Sequence, residues 1–389
     1  MPEPEQQSKQ VMIVAGEASG DLHGSHLLNA AAVYPQLSFF GVGSKRMAEA
    51  GCRLLFNADE LSVMGIWEVF GRLPTIVRRF RQLKKLLQSD DRPDLLILID
   101  FPDFNLRLAK VARQMGVPIL YYISPKVWAW RSGRARVIAE RVDRLALIFP
   151  FEEDIYRPLG VAADYVGNPL LDEFAARVDS GNLRAQLGMG TEEQVVGIFP
   201  GSRQSELNHI FPKLVETAQL IQRDRPQAKF LLPVAPSLQR TQIEQRLQNS
   251  QLPIRCIEGD IYQVAEACDA VLSVSGTVTL QLALTGTPMA VLYQVAPLSY
   301  AIGKRLIKVE HVSLTNIVAG RGIVREFIQE DAEPPAMSAE VLRLLDDQPY
   351  RRQMQSDLAE VRRRLGGPGC SKRVAEMAAE MLNLQDIPA

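Results

Sequence analysis

Short runs of continuous apolar residues alternate with helical stretches along this chain, and the runs fall into two successive series. A strand whose residues are nearly all apolar is buried on both faces, which is typical of a parallel sheet covered by helices on each side. The pattern therefore predicts two consecutive α/β units. The runs of the first series lie at residues 11–15, 37–42, 94–100, 118–123 and 144–149, and those of the second at 194–199, 229–234, 253–257, 270–274 and 288–293.

The length of the chain agrees with two domains, because 389 residues exceed what one hydrophobic core usually supports. Turn-forming residues at 166–172 and a polar stretch beyond them place the boundary between the domains. We expect an N-terminal domain over residues 1–170 and a C-terminal domain over residues 171–365. A glycine-rich break then separates a final helical segment, residues 366–389.

Composition limits the partners and the compartment. The formal net charge of −1 gives no reason to expect non-specific nucleic-acid binding. The four cysteines lie far apart without a Cys-x-x-Cys pair, which argues against zinc and disulfides and for a reducing compartment. The four histidines are scattered, so we predict no metal site. No run reaches about 18 apolar residues and residues 1–10 are polar, so we expect a cytoplasmic chain that does not span a membrane.

Two strands of the second series end in turns of small residues that lead into helices. Helix N-termini present unpaired N–H groups and a partial positive charge, so two such turns with an arginine beside one predict a pyrophosphate site. An ordinary helix N-cap is the alternative for the second turn. The residues of the two turns are Gly201, Ser202 and Arg203, and Ser275, Gly276 and Thr277.

Two further residues of the second domain are candidates for nucleotide contacts. Gln281 lies one helical turn after Thr277, on the same face, where its amide could reach a ribose hydroxyl. Asn316 belongs to a polar loop and can both donate and accept hydrogen bonds.

The first strand of the chain is followed by a turn, residues 16–24, that contains Glu17 and Ser19. Its glycines are spaced four apart, so it is not the dinucleotide fingerprint, and it lacks the Lys-Ser/Thr ending of a P-loop. Two interpretations stay open for this turn: a loop that contacts substrate, or a tight turn in which Asp21 or Ser19 caps the helix.

A carboxylate, Asp100, ends the buried strand at residues 94–100, and Asp103 follows in the next turn. The carboxyl end of a parallel strand lies at the ligand-binding edge of its sheet, where a carboxylate could accept a proton from an attacking hydroxyl. Burial there would raise its pKa. We favour Asp100 as the base and Asp103 as a helix cap, and the reverse assignment stays open.

Residues 124–131 place two tryptophans and two cations after another strand end. Trp128 could stack on a sugar, and packing as a half-buried side chain is equally consistent with the sequence.

A basic amphipathic helix follows Pro74, and an apolar segment precedes it. Such a helix can lie on an anionic membrane surface, whereas its more common role is to cover a sheet. The candidate membrane or acyl-chain contacts are Met64, Ile66, Trp67, Phe70, Arg78 and Arg79.

These motifs resemble those of the lipid-A-disaccharide synthases, in order and over nearly the whole chain. Several of the strings are specific to that family. The matching strings are AGEASGD at 15–21, VMGI at 63–66, DFPDFN at 100–105, SPKVWAWR at 124–131, PGSR at 200–203, SGT at 275–277 and SLTN at 313–316.

The resemblance implies the B-type glycosyltransferase fold: two Rossmann-like domains facing across a cleft, with the C-terminal helix crossing back to the N-terminal domain. It implies transfer of a sugar from UDP-2,3-diacylglucosamine to the 6-hydroxyl of 2,3-diacylglucosamine 1-phosphate, giving the β-1,6-linked disaccharide 1-phosphate and UDP. Such enzymes are inverting, need no metal or other cofactor, and are peripheral to the inner face of the cytoplasmic membrane. A homodimer is a further expectation.

Residue by residue, the resemblance makes Asp100 the general base and Arg203 the essential arginine at the UDP site. Asn316 falls on the uridine-nucleotide loop, and Glu17 and Ser19 fall on the first-domain loop facing the cleft. The family usually has Glu where this chain has Gln281. An amide keeps a hydrogen bond to the ribose but loses its charge-assisted part, about 1 kcal/mol.

Two other classes of function are consistent with parts of the sequence. A different UDP-sugar enzyme of the same fold, such as a peptidoglycan-type glycosyltransferase or a nucleotide-sugar epimerase, would use the same nucleotide site. A membrane-associated binding protein would hold UDP without turnover, and the carboxylate at Asp100 argues against it.

Overall fold

In a computed structural model of the protein, the chain is described at residues 8–61, 66–129, 133–177, 181–248, 250–295, 300 and 310–384, without the side chains of residues 66–70, 205 and 206. It divides into two compact units. Unit 1 comprises Met1–Asp172 and Gly367–Ala389, and unit 2 comprises Glu173–Gly366. Within the described ranges, no helix combines the length and apolar character needed to cross a membrane.

The sheet of unit 1 has seven parallel strands in the order β3-β2-β1-β4-β5-β6-β7. The strand order reverses between β1 and β4, so the carboxyl ends of these neighbours form the position at which such sheets bind ligands. The strands are β1 (Lys9–Ala15), β2 (Leu37–Gly43), β3 (Arg53–Asn57), β4 (Leu95–Ile99), β5 (Ile119–Tyr122), β6 (Arg144–Leu147) and β7 (Ala162–Tyr165).

Helices cover both faces of this sheet because successive strand residues point to opposite sides. Met12 and Leu96 belong to one buried cluster with residues of α3, α4 and α5, whereas Ile13 and Ile97 belong to another with residues of α1 and the C-terminal helix. The helices of unit 1 are α1 (Ala18–Ala30), α2 (Lys45–Glu49), α3 (Ile66–Leu87), α4 (Pro102–Gln114), α5 (Arg134–Arg141), α6 (Glu153–Tyr156), α7 (Pro169–Ala175) and the C-terminal helix α17 (Cys370–Met381).

One carboxylate fixes the beginning of the C-terminal helix. Asp172 accepts hydrogen bonds from the backbone amides of Gly369, Cys370 and Ser371, the latter two at 3.2 Å. A negative charge at a helix N-terminus satisfies unpaired amides and complements the helix dipole. Val374 and Met377 of this helix are buried against the sheet. The expected return of the final helix to the first domain is therefore confirmed.

The sheet of unit 2 has six parallel strands in the order β10-β9-β8-β11-β12-β13. Its strand order reverses between β8 and β11, and the two small-residue turns of the sequence follow these two strands. The strands are β8 (Val195–Phe199), β9 (Lys229–Val234), β10 (Ile254–Glu258), β11 (Ala270–Val274), β12 (Met289–Tyr293) and β13 (Arg325–Ile328). The helices are α8 (Leu183–Gln186), α9 (Gln204–His209), α10 (Phe211–Asp224), α11 (Arg240–Leu247), α12 (Ile261–Glu266), α13 (Val278–Thr285), α14 (Leu314–Ala319), α15 (Pro334–Asp346) and α16 (Gln348–Arg364).

Candidate functional site

The turn after β4 holds Asp100 in an unusual backbone conformation. Asp100 has φ 46° and Phe101 has φ 48°, both in the left-handed region that residues other than glycine seldom adopt. The carbonyl of Asp100 accepts hydrogen bonds from the Asn105 amide and the Tyr121 hydroxyl, each at 2.8 Å. Both donors are completely buried. Two buried hydrogen bonds therefore hold a turn whose backbone is strained, as is found at many functional sites.

The carboxyl group of Asp100 lies in an environment that suits a general base. Burial raises its pKa and the nearby Glu17 carboxylate raises it further, whereas the Phe101 amide and the charge of Lys126 lower it. Both effects that raise the pKa disfavour the charged form, so the ionised carboxylate takes up a proton more readily than an exposed aspartate. The charges of Glu17 and Lys126 thus act in opposite directions on Asp100, which follows β4 at the switch point of unit 1.

The turn after β1 packs directly against this site. A Cβ atom at Gly16 would lie 2.3 Å from the Phe101 ring, so only glycine permits the contact. Glu17 and Ser19 are exposed, and α1 begins at Ala18 with Glu17 as its N-cap residue. Ser19 therefore does not cap the helix.

Asp21 was the other capping candidate for α1, and it has a different role. Its buried carboxylate accepts the backbone amides of Ser44 at 2.5 Å, Arg46 at 3.1 Å and Met47 at 3.2 Å. It therefore stabilises the N-terminus of α2 rather than that of its own helix.

Asp103 lies in the first turn of α4 and does not cap it. The N-cap residue is Phe101, and the Asp103 carboxylate forms an ion pair with Arg134. The capping interpretation was wrong because the helix begins one residue before Asp103, at Pro102. Asp103 is largely exposed, and its charge is favourable near the helix N-terminus.

Trp128 is half-buried and packs within unit 1. Its indole N–H donates to the Glu152 carboxylate at 3.2 Å, and its ring meets Phe149 and Phe151 edge-on. The packing alternative accounts for these contacts. Trp130 and Arg131 lie outside the described residues.

In unit 2, the two small-residue turns emerge from adjacent strands, since Phe199 of β8 pairs with Ser273 of β11. Gly201 has φ 91°, a left-handed conformation that favours glycine. The carbonyl of Ser202 accepts the hydroxyl of Ser237 at 2.6 Å, and the Ser202 and Arg203 side chains are exposed.

The second turn presents backbone amides rather than a serine hydroxyl. The hydroxyl of Ser275 donates to the carbonyl of Val312 at 2.8 Å, which ties the turn to the residues just before α14. Among the described residues, no acceptor pairs with the backbone amides of Gly276, Thr277 or Val278 at the start of α13. Unpaired amides at a helix N-terminus are typical of an anion site.

The side chain of Asn316 is buried, and the residue lies in α14 rather than in the polar loop that the sequence predicted. Its amide nitrogen donates to the Val324 carbonyl and to Glu326, and its oxygen accepts the amides of Ile323 and Val324, all within 3.0 Å. These bonds use its full hydrogen-bonding capacity. Asn316 therefore ties α14 to residues 323–326 instead of projecting from the helix.

Glu326 of β13 holds the residues just before α14 in place. Its carboxylate accepts the amides of Val312 at 3.0 Å and Ser313 at 2.8 Å, in addition to the side chain of Asn316 at 2.8 Å. Gln281, on α13, is partly buried and lies beside the hydroxyl of Tyr262.

The candidate membrane surface is described in part. Met64 lies outside the described residues, as do the side chains of Ile66, Trp67 and Phe70. Further along α3, Leu73 and Val77 are 48% and 38% exposed, and they line a groove with Arg78, Arg81 and Lys85. Arg79 was predicted to contact the membrane. In the structure it forms an ion pair with Glu60 at 2.7 Å and stacks over Phe56 within unit 1.

Sequence reasoning missed the residues that hold the site in place. Asn105 and Tyr121 had no predicted role, although Asn105 is part of the DFPDFN string, and Glu326 lies on a strand that was not predicted. An amide on the apolar face of a helix is a signal that could have found Asn105, whereas the sequence offers no comparable signal for Tyr121 or Glu326. Across the described ranges, no group of three or more His, Cys, Asp or Glu side chains could hold a metal ion.

The chain is similar to proteins of known function over nearly its whole length. The model of the lipid-A-disaccharide synthetase family matches residues 11–381. The lipid-A-disaccharide synthase of Syntrophotalea carbinolica is 54% identical over 96% of both chains, and that of Geobacter sulfurreducens is 47% identical over 98% of this chain and 99% of its own.

Solved structures share the fold at low identity. A UDP co-structure of MnaA from S. aureus has a TM-score of 0.66 at 13% identity, covering 98% of this chain and 99% of its own. The glycotransferase of kitacinnamycin has a TM-score of 0.63 at 17% identity, covering 97% of this chain and all of its own. These likenesses confirm the two-domain Rossmann-like fold of B-type glycosyltransferases. With the family model matched from strand β1 to the C-terminal helix and relatives at about half identity, this chain belongs to the lipid-A-disaccharide synthase family.

Proposed function

We propose that this chain transfers the sugar of UDP-2,3-diacylglucosamine to the 6-hydroxyl of 2,3-diacylglucosamine 1-phosphate, releasing UDP and the β-1,6-linked disaccharide 1-phosphate. The observation that carries the proposal is the match to synthases of this name over 96% of the chain at 54% identity. A carboxylate at the switch point of unit 1 and paired amide turns at the switch point of unit 2 support it.

The proposed chemistry is a single displacement with inversion. Asp100 accepts the proton of the 6-hydroxyl while that oxygen forms a bond to the anomeric carbon and the bond to UDP breaks. Its raised pKa, caused first by burial and then by Glu17, favours this proton transfer. The sugar is transferred directly, without a covalent enzyme intermediate.

The departing UDP carries the charge that develops in the transition state. We assign its stabilisation to the free amides of Gly276 and Thr277 and to the exposed guanidinium of Arg203, without a metal. Gln281 is assigned to the ribose, with the weaker hydrogen bond expected of an amide. Residues 310–313, just before α14, are assigned to the uridine through their backbone, because the side chain of Asn316 is already bonded to Val324 and Glu326.

A base test compares two neighbouring carboxylates. Asp100→Asn should lower turnover at least about a hundredfold, the usual contribution of a general base, while Asp103→Asn should change it little. Both variants are assayed with the two lipid substrates after circular dichroism verifies their folding. Near-normal turnover by Asp100→Asn contradicts the base assignment, and a larger loss for Asp103→Asn transfers the role to that residue.

The same preparation separates this function from that of an epimerase. Wild-type protein supplied with UDP-N-acetylglucosamine alone should leave it unchanged, since the proposed reaction requires a lipid acceptor. Conversion of this soluble sugar in the absence of lipid would refute the proposal.

We further propose that α3 brings the enzyme to the inner face of the cytoplasmic membrane as a peripheral protein. Leu73 and Val77 expose apolar surface among cations that include Arg78, a combination that favours anionic lipid surfaces. Met64, Trp67 and their neighbours stay predictions.

Liposome co-sedimentation tests the membrane proposal. Arg78→Glu combined with Val77→Ser should weaken binding to anionic vesicles. A matched control, Lys372→Glu, makes the same charge change on the C-terminal helix and should bind like the wild type. Equal binding by all three proteins would reject α3 as the contact surface.

A further inference from the structure

Glu152 is a buried carboxylate that the proposed chemistry leaves unused. It follows β6 in the 3₁₀ turn Pro150–Glu152, and its side chain is 1% exposed. A carboxylate is almost never this deeply buried unless donors satisfy it, since burial of an unpaired charge is costly. Its donors therefore indicate its role.

Two N–H groups meet the Glu152 carboxylate. One oxygen accepts the indole N–H of Trp128 at 3.2 Å, and the other accepts the amide of Phe149 at 3.2 Å. Burial raises the pKa of Glu152 to about 7, while these donors, the backbone of Ile148 and the nearby charge of Lys126 lower it. The carboxylate thus links the turn after β6 to the segment after β5.

The segment after β5, residues 124–129, depends on such links for its position. Among the described residues, the backbone hydrogen bonds of this segment are internal, from the Val127 amide to the Pro125 carbonyl at 2.6 Å and from the Ala129 amide to the Lys126 carbonyl at 3.0 Å. Its attachments to the rest of unit 1 are made by side chains. At one end the Tyr156 hydroxyl donates to Ser124, and at the other Trp128 packs against Phe149 and Phe151 and donates to Glu152.

The segment carries one cation close to the proposed base. The amide of Asp100 donates to the carbonyl of Tyr122 at 3.2 Å, so the segment after β5 begins next to the Asp100 turn. Lys126 is exposed, and its charge acts on both Asp100 and Glu152. A displacement of the segment would therefore change the electrostatic environment of Asp100.

We propose that Glu152 is a positioning residue: through the indole of Trp128 it fixes residues 124–129 and so holds Lys126 beside Asp100. This inference rests on the proposed function for its effect on catalysis, and its structural part stands on the contacts alone.

Glu152→Gln tests the proposal, with Glu153→Gln as the matched control. Glu153 is the adjacent carboxylate, and it accepts the amide of Tyr165 rather than a donor from the segment. Hydrogen exchange of the Val127 and Ala129 amides should become about tenfold faster in Glu152→Gln, as expected when a hydrogen bond to a charged group is lost. The control should exchange like the wild type.

Kinetics supply the second readout. Glu152→Gln should lower kcat by about tenfold with little change in the KM for the UDP donor, because unit 2 holds the nucleotide. Trp128→Phe keeps an aromatic ring and removes the N–H donor. If Glu152 acts through Trp128, the double variant should lose no more activity than Glu152→Gln alone.

Unchanged exchange in Glu152→Gln, or additive losses in the double variant, would overturn the positioning role. Faster exchange with wild-type kcat would also overturn it, because the segment would then not matter for the reaction. If the wild type showed no transferase activity, the proposed function would be wrong. The exchange experiment would still test whether Glu152 holds the segment in place.

Discussion

Replacing Tyr121 by Phe should impair the reaction by removing a single buried hydroxyl. That hydroxyl donates to the carbonyl of Asp100 at 2.8 Å and is shielded from solvent. The carbonyl keeps its second donor, the amide of Asn105 at 2.8 Å, so the substitution leaves no orphaned carbonyl. Only the restraint on the turn is weakened.

The magnitude follows from the balance in this turn. Left-handed backbone costs about 1–2 kcal/mol per residue, and Asp100 and Phe101 both adopt it. Each of the two buried hydrogen bonds offsets about 1 kcal/mol. Losing one of them lowers the equilibrium ratio of the native to the relaxed turn by about fivefold. We therefore expect kcat to fall by up to about fivefold.

Tyr122→Phe is the matched control. It removes an equally buried hydroxyl from the next residue of β5, which faces Cys370 of the C-terminal helix at 3.3 Å on the other side of the sheet. Both variants should lose about 1 kcal/mol of unfolding free energy in urea, but only Tyr121→Phe should lose activity in the transferase assay. Equal kcat values for the two variants would refute the restraint.

Three further predictions concern charge. Glu17→Gln removes a carboxylate that raises the pKa of Asp100, so the acidic limb of kcat/KM should move to lower pH; an upward shift would contradict the assignment. Glu326→Gln should weaken UDP binding in calorimetry by about tenfold, because the amides of Val312 and Ser313 lose a charged acceptor. Unchanged affinity would mean that these residues do not bind the nucleotide. The pKa of His23 is lowered from 6.5 to about 4, mainly by burial and to a smaller extent by the charge of His26. The stability that neutral His23 provides is therefore complete above pH 6.5 and declines as the pH falls toward 4. Urea unfolding between pH 8 and pH 5 should show a loss that is about 2 kcal/mol smaller for His23→Gln than for the wild type.

The apolar runs of the sequence predicted the strands that are buried on both faces, and they missed three strands at sheet edges. In β3, Arg53 and Asn57 are exposed, and in β7, Ala162 and Asp164 are exposed. The third, β13, begins with the exposed Arg325. Such strands contain polar residues because one side and one edge meet solvent. Their pattern resembles that of loops.

The position of Asp100 was predictable because a carboxylate at the end of a buried strand must lie at the sheet edge that binds ligands. The contacts that restrain it were not, since they join residues of separate elements. Tyr121 of β5 reaches the carbonyl of Asp100 at the end of the adjacent strand β4, 21 residues away in the sequence, and Glu152 reaches Trp128 over 24 residues. Periodicity reports which face of an element is buried, but it does not identify the partner of a polar side chain.

The return of the C-terminal helix to unit 1 sets an order of events during synthesis. The whole of unit 2 is inserted between Asp172 and the amides that Asp172 binds, so the ribosome makes these partners at the two ends of that insertion. Domains fold largely as units as they emerge, so unit 2 can form before unit 1 is complete, although most of unit 1 precedes it in the chain. Until residues 370–381 emerge, the sheet surface that Val374 and Met377 will cover faces solvent. Nascent unit 1 thus stays an incomplete layer until all of unit 2 has been made, and a helix that follows unit 2 closes it.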